Sequence, residues 1–290
     1  MKTMNFKRIE TIFIVAFIIL NIFLFNSLVD RRNLHYVSTT ADQIDLLEDM
    51  RQANIQLPTF DDQNQQAYAI QANNYDILEE EASQLEGQVG IVEEGLYYTS
   101  FLSNPIELEG SVEEGFTQAD YDKLANFLRS PQVLFGEEYA LGKLDKENGV
   151  FIYYHVVNGI PIMDGTSQII FYIDTDNNVF SYHQLYIGET MQQGNPIQTI
   201  SDLDAVKSAY QNNEISANTL VKKPVLSYQR TLYLDDLSMY VPVWTIEVEH
   251  STRGKVLLQV DATDGSVIQQ SVQANPSIRP LPERPDTGEN

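Results

Sequence analysis

Apolar residues are spaced along this chain in three ways. From Thr11 to Val29 they form an uncharged run, TIFIVAFIILNIFLFNSLV, nineteen residues long. A helix of that length covers about 28 Å, close to the roughly 30 Å hydrocarbon core of a bilayer. The second spacing is helical. Ile44, Leu46, Leu47 and Met50 form a stripe behind Thr39 or Thr40, which predicts a helix over 39–55 ended by Leu57-Pro58. That helix packs either on its own domain or against the equivalent helix of a partner. The third is a short apolar and aromatic stretch. Ala67–Ile70 and Leu96–Phe101 read as strands, with a short acidic helix or loop over 76–85 between them.

From residue 117 the pattern repeats. Thr117-Gln118-Ala119-Asp120 is a capping-box start with Asp in place of Glu, and Tyr121, Leu124, Phe127 and Leu128 give one helical face before Pro131. Strands are predicted at 139–144, 150–157, 168–173 and 179–186, with Asn158-Gly159 and Asp176-Asn177-Asn178 as turns. Ser201-Asp202-Leu203-Asp204 opens a second helix, with Leu203, Val206 and Tyr210 on one face. Strands follow at 225–234, 241–248, 256–260 and 266–271, with Asp264-Gly265 as the last turn. Gly159-Ile160-Pro161-Ile162 parallels Tyr240-Val241-Pro242-Val243, and Phe171–Val179 parallels Leu258–Val267. The expected fold class is α+β: a single N-terminal transmembrane helix, then an ectodomain of tandem helix-plus-antiparallel-sheet modules. The expected divisions are a cytoplasmic N-terminus 1–10, the anchor 11–29, a helical linker 30–58, a first module 59–195, a second module 196–272 and a Pro-rich disordered tail 273–290.

Flanking charge orients the anchor. Lys2, Lys7 and Arg8 precede it, and an acidic domain follows Arg31 and Arg32, so the N-terminus is expected inside and the C-terminal domain outside the cell membrane. A cleaved signal peptide is the rival. It requires small residues at the cleavage site, where this chain has Phe23-Leu24-Phe25. The net charge is −23. Residues 1–32 hold five basic and two acidic groups, so the remainder carries −26. Between Gln52 and Asp122 there is no Lys or Arg against fifteen Asp and Glu, which excludes nucleic acid as a partner, because phosphate contacts need cations. Such a surface either keeps the domain soluble or meets a basic partner. With no cysteine, thiol catalysis and Cys-ligated metal are excluded.

Catalytic patterns are missing elsewhere too. His35, His155, His183 and His250 show no metal-helix spacing, and His155 and His183 fall in predicted strands. Asp174-Thr175-Asp176-Asn177-Asn178 starts like a calcium loop. It has Val179 where glycine belongs and Leu185 where the bidentate Glu belongs, so a hairpin turn explains it better. Asp286-Thr287-Gly288 matches an aspartic-protease triplet but sits outside any apolar strand. No cofactor and no catalytic residue is expected. The informative face is on the anchor: Glu10, Phe13, Phe17, Asn21 and Leu24 lie within about 80° of one another on a helix. Either Asn21 bonds a neighbouring helix, or it is satisfied by its own backbone.

Phe6-Lys7-Arg8-Ile9-Glu10-Thr11-Ile12-Phe13, running on to Leu20-Asn21-Ile22-Phe23-Leu24-Phe25, resembles the anchor of the YycI (WalI) family. Ser201–Val206 and Val260–Gly265 also resemble PepSY-type modules. The YycI resemblance implies a non-enzymatic regulator in the membrane of Gram-positive bacteria. Its implied partners are a sensor histidine kinase of the YycG/WalK type, which governs cell-wall metabolism, and a YycH-type sister protein. The contact is implied to run largely through transmembrane helices. The PepSY resemblance implies an alternative, an extracellular ligand-binding or inhibitory module.

Overall fold

In the computed structural model of the protein, residues 13–24, 40–73, 77–93, 97–234, 236–250, 254–268 and 281–282 are described. The helices form where caps and periodicity call for them. Helix α1 covers 13–24, and α2 covers Thr40–Gln52. Short α3 (Ile77–Glu81) follows strand β1 (Gln66–Asn73). Helix α4 (Gln118–Leu128) carries the predicted capping box: the Thr117 hydroxyl accepts from the Asp120 N–H, and the Asp120 carboxylate accepts from the Thr117 N–H. Helix α5 (Asp202–Gln211) is capped by Ser201, whose hydroxyl accepts from the Asp204 N–H.

Two antiparallel sheets hold the strands. The first contains β2 (Gln88–Glu93), β3 (Tyr97–Glu107), β4 (Tyr139–Asp145), β5 (Val150–Val157), β7 (Gln168–Ile173) and β8 (Asn178–Leu185). Its order is β2-β3-β8-β7-β5-β4, and two-residue β6 (Ile160–Pro161) folds back on β5. The second contains β1, β9 (Thr190–Gln198), β10 (Thr219–Val221), β11 (Val225–Tyr233), β12 (Leu237–His250), β13 (Gly254–Asp261) and β14 (Val267–Ile268). Its order is β14-β13-β12-β1-β9, with β10 and β11 on the other side of β12.

The repeat read from the sequence is present in the topology. A helix followed by a meander appears twice, α4-β4-β5-β7-β8 and α5-β11-β12-β13-β14. The two turns aligned by sequence are built alike. Asp174 accepts from the Asp176 and Asn178 N–H groups, and Asp261 accepts from the Thr263 N–H. The Asp174 carboxylate is thus occupied by its own backbone, as expected of a turn rather than a calcium site. The other aligned pair is not equivalent. Ile160-Pro161 follows the Asn158-Gly159 turn, whereas Val241-Pro242 lies inside the long β12.

A division at residue 195 does not separate the sheets. Strand β1, early in the 59–195 segment, pairs with β12 over Ile70–Asn73 and with β9, so both belong to the second sheet. Helix α2 packs on its own domain: Met50 is fully buried and Leu47 partly so, beside Ala205, Val206, Trp244 and Ile246. On the first sheet, α4 covers a core of Tyr98, Leu124, Leu128, Phe151, Phe171 and Tyr182. Edge-on rings such as Phe127 with Phe171, 5.9 Å between centroids, each add about 0.5–1.5 kcal/mol beyond area burial. A third cluster, with Ile70, Val157, Ile162, Ile187, Tyr228 and Tyr240, joins the sheets. There the buried Asp164 carboxylate accepts the Arg230 N–H at 2.7 Å, and the Tyr240 hydroxyl donates to Thr166. Leu281, in the segment read as a disordered tail, packs against Val150, Ile152, Tyr154, Ile170 and Tyr172.

Candidate functional site

The anchor face is only partly within the described residues. Glu10 lies outside them. Phe13, Phe17, Asn21 and Leu24 fall on one side of α1, and Phe13 and Phe17 are 71% and 65% exposed. The Asn21 side-chain amide donates to the Phe17 carbonyl at 3.0 Å, so the helix's own backbone takes one of its donors. Among the described residues no helix is long and apolar enough to cross a membrane, since the described part of α1 stops at 24 while the apolar run continues to Val29.

The histidines separate into local struts. His250 sits between the hydroxyls of Thr219 and Ser216, and His183 meets the Tyr172 hydroxyl at 3.2 Å. His35 lies outside the described residues. His155 has the richest surroundings: its Nε2 is 3.0 Å from Glu138 and its Nδ1 is 2.9 Å from the Ser167 hydroxyl. These three residue types are those of a serine hydrolase, but the wiring differs. A catalytic serine stands on Nε2 and faces substrate. Here Ser167 is on Nδ1, fully buried, and its hydroxyl donates to the Leu185 carbonyl. Nδ1 faces the Ser167 oxygen and Nε2 faces the Glu138 carboxylate, so both ring nitrogens are engaged by the protein and the imidazole serves as a strut. Among the described residues no group of three or more His, Cys, Asp or Glu side chains could hold a metal.

The strut supports an aromatic stack. The Tyr186 ring lies flat on Phe135 at 4.3 Å and stacks on His155 at 5.4 Å, while its hydroxyl donates to Glu138. Phe135 adopts φ 52°, a left-handed conformation unusual for a bulky residue. The hydrogen bond from His155, then its charge, holds the Glu138 carboxyl below its ordinary value of 4.5 despite partial burial. A lowered carboxyl contributes stability above the unfolded value, and the contribution is lost as pH falls through the folded one. The stability gap between wild type and Glu138→Gln is therefore expected to be larger at pH 7 than at about pH 3, below the ordinary carboxyl value of 4.5. Urea unfolding at both values checks this, and a constant gap would contradict it.

Beside the strut a groove of about 280 Å³ opens between α4 and β4. Tyr121, Ala125 and Leu128 form its helix wall, and Tyr139, Leu141 and Tyr153 its sheet wall. Asp122, Arg129 and Glu137 stand at its mouth, all exposed. The local sequence pattern places these elements but carries no sign of the groove between them. Its mark in the structure is Leu141, an apolar residue on β4 that is 45% exposed.

The fold and these surfaces define a class: a tandem α+β protein that offers helix and strand-edge surfaces and whose described histidines serve as struts. Residues 35–263 match the model of the YycI protein family, and the chain belongs to that family. Membership makes it a regulatory accessory protein associated with the YycG/WalK two-component system, and the family is not a known enzyme family. No curated protein matches the chain. Among solved structures, the crystal structure of an uncharacterized protein from Eubacterium rectale is similar, with a TM-score of 0.47 and 10% identity, over 75% of this chain and 89% of that chain.

Proposed function

We propose that this chain is a single-pass membrane protein with its N-terminus inside the cell. In this reading it modulates a sensor histidine kinase of the YycG/WalK type through contacts between transmembrane helices, together with a YycH-type sister protein. Family membership and one observation carry the reading. The described side chains of α1 are exposed, while the two-sheet body buries its own apolar faces. An apolar helix left outside the core needs lipid or another helix around it. A regulator of this kind acts by binding two states of a neighbour with different affinity, and about 1–3 kcal/mol of difference changes output from severalfold to about a hundredfold.

The interaction face is Glu10, Phe13, Phe17, Asn21 and Leu24. Interhelical polar contacts in lipid are worth about 0.6–2 kcal/mol, so Phe17→Ala with Asn21→Leu is expected to weaken kinase co-purification from membranes about 3- to 30-fold. Cysteines placed along 10–25 of this cysteine-free chain should crosslink to the kinase with helical periodicity. Full recovery by the double variant, together with crosslinks lacking periodicity, would refute the face. The α4–β4 groove favours a second reading, an extracellular ligand-binding or inhibitory module. In that reading a fragment lacking the anchor retains full activity.

A further inference from the structure

The two repeats differ at one equivalent place. In the second repeat the first strand of the meander is β11, and its outer edge is covered by an extended segment of the first repeat. Ile162 bridges to Tyr228 in parallel, and the Asp164 carboxylate takes the Arg230 N–H. The contact is anchored by the Ile162 side chain, fully buried among Ile70, Tyr228 and Tyr240. In the first repeat the corresponding strand is β4. It ends its sheet, and among the described residues no strand pairs with its outer edge.

We propose that the outer edge of β4, with the groove beside it, is a docking site for an extended segment of a second polypeptide, added as a strand. A free edge presents backbone donors and acceptors that only another extended chain satisfies in series. Helix α4 leaves Leu141 uncovered, so a side chain from an added strand enters the groove as Ile162 enters its own pocket. The available volume of about 280 Å³ accepts one large apolar side chain. The bulge between Leu141 and Lys143, where a Cβ on Gly142 would meet the Tyr154 ring at 2.1 Å, limits regular pairing to Tyr139–Leu141. The contact is therefore short, like its internal counterpart.

Charge selects the occupant. Asp122 and Glu137 at the mouth outnumber Arg129. Residues 33–290 carry −26, which sets a second copy of this chain at a disadvantage through repulsion. The occupant is a basic segment with an apolar residue between cationic ones. This surface is independent of the membrane contact, so either proposal can fail alone.

The test uses the full-length protein in detergent and the fluorescein-labelled peptide Lys-Val-Lys-Ile-Lys-Val-Lys. Anisotropy titration is expected to show saturable binding, weakened at least tenfold by N-methylation of alternate peptide residues. Leu141→Lys should also weaken it at least tenfold, whereas the charge-matched Val256→Lys on β13 of the second sheet should change it less than twofold. In the wild-type protein, hydrogen exchange should slow at the β4 amides when the peptide binds, a readout that needs no variant. Equal effects of the two lysine substitutions, or indifference to N-methylation with no protection at β4, would mean diffuse charge attraction and overturn the proposal. Absence of saturable binding would overturn it as well. Self-association abolished by Leu141→Lys without peptide binding would replace it with a second copy as occupant.

Discussion

Asp120→Ala is expected to lower the free energy of unfolding by about 3–5 kcal/mol, because it removes the one buried carboxylate that several part-buried donors share. The carboxylate is fully buried and accepts from the Glu109 N–H at 2.7 Å, the Gly110 N–H at 3.0 Å, the Thr117 N–H at 2.9 Å and the Thr117 hydroxyl at 2.8 Å. It therefore caps α4 and pins the loop after β3 to the helix end. Burial acts to raise its pKa, yet these donors together hold it down to about 2. The stabilisation is accordingly present above the unfolded value of 3.8 and lost as pH falls from there toward 2. Urea unfolding at pH 7 checks the magnitude. Exposed Asp122→Ala, two residues on, should change stability by no more than about 0.5 kcal/mol. Equal losses in the two variants would show that charge near the helix N-terminus, rather than the bonded network, matters.

Gly136→Ala is the second large effect, at about 3 kcal/mol of destabilisation. A Cβ at this buried glycine would stand 1.7 Å from the Leu128 carbonyl oxygen and 2.8 Å from its carbon. Both atoms are backbone at the end of α4, so no side-chain rotation relieves the clash. The helix end must move away from the Gly136–Glu138 turn that leads into β4. The same glycine lines the groove, so the variant should also speed hydrogen exchange at the amides of Tyr139–Leu141. Wild-type stability in Gly136→Ala would mean that the turn has room for a methyl group, contrary to this packing.

Much of the architecture could be read from neighbouring residues. Thr117 and Asp120 announced α4, Ser201 announced α5, and Asn158-Gly159 announced a hairpin whose residues take φ 53° and 81°. Strands β5 and β7 run over the predicted residues because a short apolar run bounded by turn residues is a local signal. Strand β9 was missed. Its sequence TMQQGNPIQ is polar with Gly194 and Pro196, and it forms because it lies at an exposed sheet edge where β1 supplies the pairing. Asp202 was read as part of a cap, but its carboxylate accepts the N–H groups of Asp61 and Asp62, about 140 residues earlier in the chain.

The candidate surfaces divide in the same way. The anchor face follows from helical spacing alone, since residues four apart share a side of any helix. The groove does not, because its walls come from α4, β4 and β5, and their approach depends on how the helix seats on the sheet. The chain alone established two helix-and-meander repeats and an apolar N-terminal run, because caps, turns and periodicity act over a few residues. Tertiary structure decided that β1 and β9 cross into the second sheet, that His155, Ser167 and Glu138 form a strut, and that β11 is covered while β4 is open. Those outcomes depend on pairings between residues as much as 170 positions apart, such as Ile70 with Tyr240. Local propensity carries no term for such partners, and strand pairing and burial across the whole molecule select them.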